Sequence, residues 1–246
     1  MHRNLTIDHG NSRVKISVWN CDGNRTECVC GRCFRTFTPA DLREVFSDCR
    51  PDRAIWCSVA SDDDCVLTAL HALCADVIHL TADTPTPLTI DYGTPATLGV
   101  DRIAAAVGAW SLDDCRGRDI LVADIGTAIT YDRVTADSRY CGGNIAPGIY
   151  MRLRALNHYT ARLPLVEVDG QLPAWGDTTE TALRAGAVNG VVAELEFYKK
   201  QLPADAAAVL TGGAARVVAD RLSFSPAVVT DLVNRGLNAI IEYNHR

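Results

Sequence analysis

Asp119-Ile-Leu-Val-Ala-Asp124-Ile-Gly126-Thr127-Ala128-Ile-Thr130-Tyr-Asp132 decides the reading of the fold. Its unbroken apolar run reads as a buried central strand. The strand delivers a carboxylate, Asp124, into a turn where Gly126 lets the backbone approach a ligand closely. Thr127 and Thr130 add hydroxyls at the mouth of that turn. Acid, glycine and hydroxyl at a strand end suit phosphates and a cation, although a carboxylate beside a glycine is also ordinary hairpin chemistry. The stretch becomes informative because Ile7-Asp8-His9-Gly10-Asn11-Ser12 says nearly the same thing near the N-terminus.

Working outward, the chain runs through one order of elements twice. Residues 4–9, 14–20 and about 26–36 read as strands, and Thr38-Pro39 as a capped helix start. A buried strand at 53–59, a helix over 62–74 with acids in its first turn, and a short strand at 77–80 follow. Residues 81–95 are irregular apart from a brief pairing at 88–92. A helix over 102–110 is entered through Gly99-Val100-Asp101-Arg102. The order then restarts with strands 119–125, 128–135 and about 138–145, and a helix opening near Pro147-Gly148. A long helix at about 179–201, strand 206–211, helix 213–221, strand 226–230 and helix 231–244 complete it. The expected class is α/β, two duplicated domains spanning 1–117 and 118–246, each a mixed five-stranded sheet with flanking helices. Two like turns from two like domains are expected to face each other across a cleft and clamp a polyphosphate.

Composition narrows the function classes. At 246 residues, 48% hydrophobic and 22% charged, the chain is an ordinary globular protein. A formal net charge of −6 argues against a nucleic-acid scaffold. No apolar run approaches the ~20 residues of a membrane span. Met1-His2-Arg3-Asn4 runs straight into Leu5-Thr6-Ile7-Asp8, which reads as no secretory leader and a cytoplasmic protein. Among ten cysteines, Cys28, Cys30 and Cys33 form a C-x-C-x-x-C cluster. A structural zinc site wants four ligands in paired short spacings, so these read as reduced, partly buried cysteines of a strand. The six histidines show no metal spacing.

Several stretches carry chemistry, each with a plainer alternative. Asp8-His9-Gly10-Asn11-Ser12-Arg13-Val14-Lys15 is either an anion-wrapping turn or an Asx-type hairpin. No P-loop pattern is present. Asp101 is a helix cap, or a general base beside the carboxylate-binding guanidinium of Arg102. Cys141-Gly142-Gly143-Asn144-Ile-Ala-Pro147-Gly148 is a reversal open to a ligand, or a glycine-rich loop. Thr211-Gly212-Gly213 suits a nucleoside or phosphate at a helix start, or close strand–helix packing. Thr178 and Thr179 stand at a helix N-terminus.

The order D-x-G-N-S-x-x-K (8–15), G-x-D-R (99–102), D-x-G-T-A-x-T-x-D (124–132), G-G-x-I-x-P-G (142–148), T-x-x-[TSA]-x-x-x-G (179–186) and T-G-G (211–213) closely resembles type III pantothenate kinase. That family belongs to the acetate kinase/sugar kinase/Hsp70/actin superfamily, so the resemblance implies two ribonuclease H-like (actin-like ATPase) domains. It implies that Asp8, His9, Gly10, Asn11, Ser12, Arg13, Val14, Lys15 and Thr127 bind ATP. It implies Asp101 as catalytic base, and Tyr92, Gly99, Val100, Asp101, Arg102 and Thr179 as contacts to pantothenate. Asp124 is implied as the ligand of a monovalent cation, K+ or NH4+, alongside Mg2+. The implied reaction is ATP-dependent formation of 4′-phosphopantothenate, the first step of coenzyme A biosynthesis, by a homodimer. The long helix at 179–201 could serve that dimer or be core. His9 departs from the family's usual apolar residue, and Gly176-Asp177-Thr178 from its commoner lead-in to the substrate threonine. The rivals are a nucleotide-binding regulatory relative without catalysis and a kinase of another small hydroxyl compound; Asp101 beside Arg102 suits an anionic hydroxy acid better than a neutral sugar.

Overall fold

Alternation in β1 (His2–His9) is the origin of the first layer structure. Leu5 and Ile7 are fully buried on one face, Asn4 and Thr6 fully buried on the other, so both faces of this strand are covered. The computed structural model describes residues 1–23, 25–59 and 64–246. In it β1 lies antiparallel to β2 (Val14–Asp22) and parallel to β4 (Arg53–Ser58). With β3 (Arg25–Phe34) and β5 (Asp76–His79) the sheet order is β3-β2-β1-β4-β5.

On the odd-numbered face sit α1 (Pro39–Cys49) and α2 (Asp64–Leu73). Leu5, Ile7, Val14, Ile16, Leu42, Val45, Trp56 and Leu70 form their shared core. Helix α1 starts where the sequence places it, with Pro39 in the first turn and a reciprocal Thr38–Asp41 capping box. Asp62 and Asp63, expected in the first turn of the next helix, lie outside the described residues. The even-numbered face is covered by α3 (Val100–Trp110) and α7 (Leu232–Asn244), which pack on each other and on the sheet. Buried polar groups pair there: Trp19 Nε1 donates to Thr6 Oγ1 at 3.0 Å, and Asn4 Nδ2 to Asn238 Oδ1 at 2.8 Å.

The second sheet repeats the plan. Strand β7 (Ile120–Ile125) is antiparallel to β8 (Ala128–Val134) and parallel to β10 (Ala207–Thr211), which pairs with β11 (Ala227–Val228). With β9 (Arg139–Pro147) and β6 (Thr89–Ile90) the order is β11-β10-β7-β8-β9-β6. The sheet thus has six strands where five are expected, because Thr89 and Ile90 pair in parallel with Arg139 and Tyr140. Helices α4 (Ile149–Tyr159), α5 (Thr179–Lys200) and α6 (Ala215–Ala219) accompany it. The inward stripe of α5, Leu183, Ala187, Val188, Val191 and Leu195, is core against Leu121, Ala123, Ile125 and Leu210. In both sheets a central strand has an antiparallel neighbour on one side and a parallel one on the other, and carries its aspartate next to last. This is the duplication expected from the two turns.

The chain forms two compact units. One comprises Met1–Asp113, Ser138–Tyr140 and Asp231–Arg246; the other comprises Asp114–Asp137 and Cys141–Thr230. The sequence divides the chain once, after residue 117. The terminal helix α7 nevertheless sits with the first unit, because its Leu237, Ile240 and Ile241 bury against α3 and the first sheet. Cys28, Cys30 and Cys33 lie on edge strand β3 as free cysteines; Cys28 and Cys33 are exposed and Cys30 partly buried. No helix among the described residues is long and apolar enough to cross a membrane.

Candidate functional site

In the first unit the site is built at the C-terminal end of β1. Asp8 is 8% exposed and is flanked in register by Lys15 on β2 and Cys57 on β4. The turn beyond it closes with Gly10 N–H donating to Arg13 O at 3.1 Å, leaving Asn11, Ser12 and Arg13 exposed. His9 packs edge-on against Trp56 at 5.4 Å, with its Nδ1 3.5 Å from Ser58 Oγ. The Val14 side chain belongs to the core.

Helix α3 brings the second carboxylate. Its N-cap is Gly99, which makes no side-chain cap, and Asp101 stands in the first turn. Asp101 Oδ1 accepts from the Arg102 backbone N–H at 2.8 Å and folds over Gly99, where a Cβ would stand 2.5 Å from that oxygen. A side chain at 99 would displace the carboxylate. Arg102 is 6% exposed and its guanidinium lies 5.9 Å from the centroid of Tyr92, which in turn packs on Tyr140 at 6.2 Å. A desolvated guanidinium held on an aromatic face is a preorganised receptor for a carboxylate.

The charges of Asp8 and Asp101 both act on Cys57. Burial, and then the charges of Asp8 and Asp101, push this thiol well above its usual range. The register places Cys57 beside Asp8, and α3 packs against the same strand, β4. Cys57 stays a neutral thiol under the two acids.

In the second unit Gly148 and Gly212 pack closely on the turn that runs from Asp124 to Thr127. Gly126 N–H donates to Ala128 O at 3.1 Å, and Gly148 N–H to Thr127 O at 3.0 Å. Gly148 is the N-cap of α4, and a Cβ on it would overlap the Gly126 and Thr127 carbonyls. Gly212 has φ +92°, and a Cβ there would be 2.5 Å from Asp124 Oδ1 and Ile125 C. Thr127 is exposed at this crowded turn.

At the start of α5 the two threonines separate by role. The Thr178 hydroxyl is committed to a capping box with Thr181, whereas Thr179 is exposed in the first turn. Gly142 and Gly143 lie inside β9, where Gly143 packs against Tyr131 and Asp132 too closely for a side chain. One cluster had no signal in the sequence. Arg152 on α4 pairs through Nη2 with both oxygens of Glu194 on α5 at 2.7 Å, and Tyr131 OH donates to Glu194 at 2.6 Å. It anchors the helix that begins at Gly148, and its members are too far apart in the chain to form a motif.

A family model described as type III pantothenate kinase matches residues 4–201. A protein of that name from Porphyromonas gingivalis is 37% identical over 254 residues, covering 99% of this chain and 100% of its own. Another from Bacteroides fragilis is 39% identical over 252 residues, covering 98% of each. Among solved structures, a glucokinase from an Antarctic psychrotroph aligns over 99% of both chains with a TM-score of 0.57 at 13% identity, a likeness of fold alone.

Proposed function

The chain belongs to the type III pantothenate kinase family, and from that premise we propose that it phosphorylates pantothenate at the expense of ATP to give 4′-phosphopantothenate. The observation that carries this reading is the arrangement at the start of α3, a first-turn Asp101 followed by a buried Arg102 on the face of Tyr92. Pantothenate has a carboxylate at one end and a primary hydroxyl at the other. Arg102 takes the carboxylate; Tyr92, Gly99, Val100 and Thr179 complete the substrate contacts. Asp101 accepts the hydroxyl proton as the oxygen forms its bond to the γ-phosphorus and the bridging P–O bond breaks to leave ADP.

Phosphoryl transfer leaves a protein mainly the tasks of positioning and charge stabilisation. The turn from Asp8 to Lys15 and the hydroxyl of Thr127 hold the phosphates. Asp124 holds a monovalent cation, K+ or NH4+, through its carboxylate. Mg2+, when bound, offsets charge on the transferring group. The protein works in the cytoplasm as a homodimer.

The test is direct. Purified protein with ATP, Mg2+, K+ and pantothenate is expected to release ADP and 4′-phosphopantothenate in equal amounts, read by mass spectrometry and a coupled ADP assay. Absence of product with either potassium or ammonium would overturn the reading.

A further inference from the structure

At the opposite end of β1 from Asp8, about 20 Å along the strand, lies a group of side chains that the proposed reaction does not use. His2 Nε2, Cys21 Sγ and a Glu242 carboxylate oxygen all fall within 4.8 Å of one another. They come from β1, β2 and α7, and the β1–β2 register sets His2 directly opposite Cys21. Cys21 is fully buried, while the side chains of His2 and Glu242 are 29% and 22% exposed.

Two features show that this polar group is poorly satisfied as it stands. His2 Nε2 is 2.7 Å from Glu242 Oε1 and 3.3 Å from Arg53 Nη1. One ring nitrogen therefore faces an acceptor and a donor, and no protonation state satisfies both. Asn4, fully buried, has three acceptors for the two N–H groups of its Nδ2, Asn238 Oδ1 and Glu242 Oε1 at 2.8 Å and Cys21 Sγ at 3.4 Å, while its Oδ1 has no hydrogen-bond partner. A buried amide oxygen without a donor is rare in folded proteins.

We propose that these side chains form a site for a divalent transition metal of the zinc class, bound by His2 Nε2, Cys21 Sγ and Glu242 Oε1, with a water as the fourth ligand. Imidazole, thiolate and carboxylate are the donor types zinc takes. Tetrahedral bonds of their usual lengths set donors about 3.3–3.7 Å apart, so the cluster adjusts by about 1 Å. Binding deprotonates the thiol. Burial first, and the Glu242 charge after it, hold the thiol at about 11 without metal, so one proton leaves to solvent for each metal bound. Arg53 Nη1, 3.3 Å from His2 Nε2, must give way to the ion by swinging toward Asp76, which its Nε already approaches at 3.6 Å; the two carboxylates with the new thiolate then balance the metal and the guanidinium together. A metal here ties the first strand to the last helix, a structural role remote from the phosphate turns.

The experiment uses full-length, reduced protein without an affinity tag, since His2 is a ligand, stripped with chelator and then titrated. Zn2+ is expected to bind at one equivalent by calorimetry and to raise the thermal midpoint. Co2+ is expected to give a thiolate-to-metal charge-transfer absorption. Cys21→Ser should abolish that band and weaken zinc by about 100-fold or more, beyond the cost of losing an outer-sphere partner. Glu242→Gln should weaken zinc without touching any thiol, which covers poor folding of the serine variant. Replacing Cys28, Cys30 and Cys33 together by serine should leave the band intact. No zinc binding by the wild type would overturn the proposal, as would a band that survives in Cys21→Ser and vanishes in the triple variant.

Discussion

Gly236→Ala should destabilise the protein by about 2 kcal/mol, although alanine is the better helix former. Helices α3 and α7 cross with their backbones in contact at Gly108 and Gly236. A Cβ on Gly236 would lie 2.7 Å from Ala104 C and 2.8 Å from Gly108 N, and nearer still to Ala104 O. Carbon contacts are comfortable from about 3.5 Å, and the obstructing atoms are backbone, so the helices must part by about 1 Å. Such a gap forfeits a quarter to a half of each dispersion contact along the seam, which Ile103, Ala104, Val107, Leu232 and Leu237 line. Overpacking of this kind costs about 3 kcal/mol at the upper end of its usual range. Alanine returns about 1 kcal/mol through helix propensity, and the difference is the expected loss. Equilibrium urea unfolding followed by circular dichroism measures it. Gly186→Ala is the control, because nothing lies within 4 Å of a Cβ there; it should stabilise by about 0.5–1 kcal/mol. A Gly236→Ala protein as stable as the wild type would refute the backbone contact between α3 and α7.

Asp101→Asn should lower kcat by about 10²–10⁴-fold with the KM for pantothenate little changed; near-normal turnover in steady-state kinetics would remove Asp101 as the base. Asp124→Ala should abolish activation by potassium, and a salt titration of activity identical to that of the wild type would sink the cation role. Gly148→Ala should reduce kcat/KM for ATP by about 10²-fold, because the Thr127 turn must move by about an ångström; unchanged ATP kinetics would show that the turn does not position the nucleotide. Acid stability offers a check on Glu242. Burial pushes its carboxyl up, but hydrogen bonds from His2 and Asn4, with the charges of His2 and Arg53, outweigh burial and hold it below 4.5. Its contribution is therefore complete above that pH and is lost as pH falls through the lower folded value. Glu242→Gln should flatten the fall of the thermal midpoint below about pH 4.5; parallel profiles would contradict this.

Local chemistry made much of the chain legible. The apolar run before Asp124 could only be a strand buried on both faces, and Thr38-Pro39 with Asp41 is a helix start wherever it occurs. The two Asp-x-Gly turns announced the duplication because each is encoded within a few residues. The long helix was legible as amphipathic, but whether its stripe met a partner or its own sheet was not; packing against Leu121 and Leu210 makes it core.

What stayed hidden involves residues brought together across long stretches of chain. Chain continuity places residues 231–246 after the second sheet, yet the apolar face of α7 fits the first. Asp8 and Asp101 are separate motifs in sequence, and only the parallel pairing of β1 with β4 and the packing of α3 let the charges of both act on Cys57. Gly108 and Gly236 look like isolated helix defects until the helices cross. The turn around Asp124 was readable as a phosphate-type turn from its own residues. That Gly148 and Gly212 close around it, from 24 and 88 positions further along the chain, is decided by tertiary structure. Turns and periodicities depend on neighbours in the chain; the fit of one surface against another depends on residues that the sequence keeps far apart.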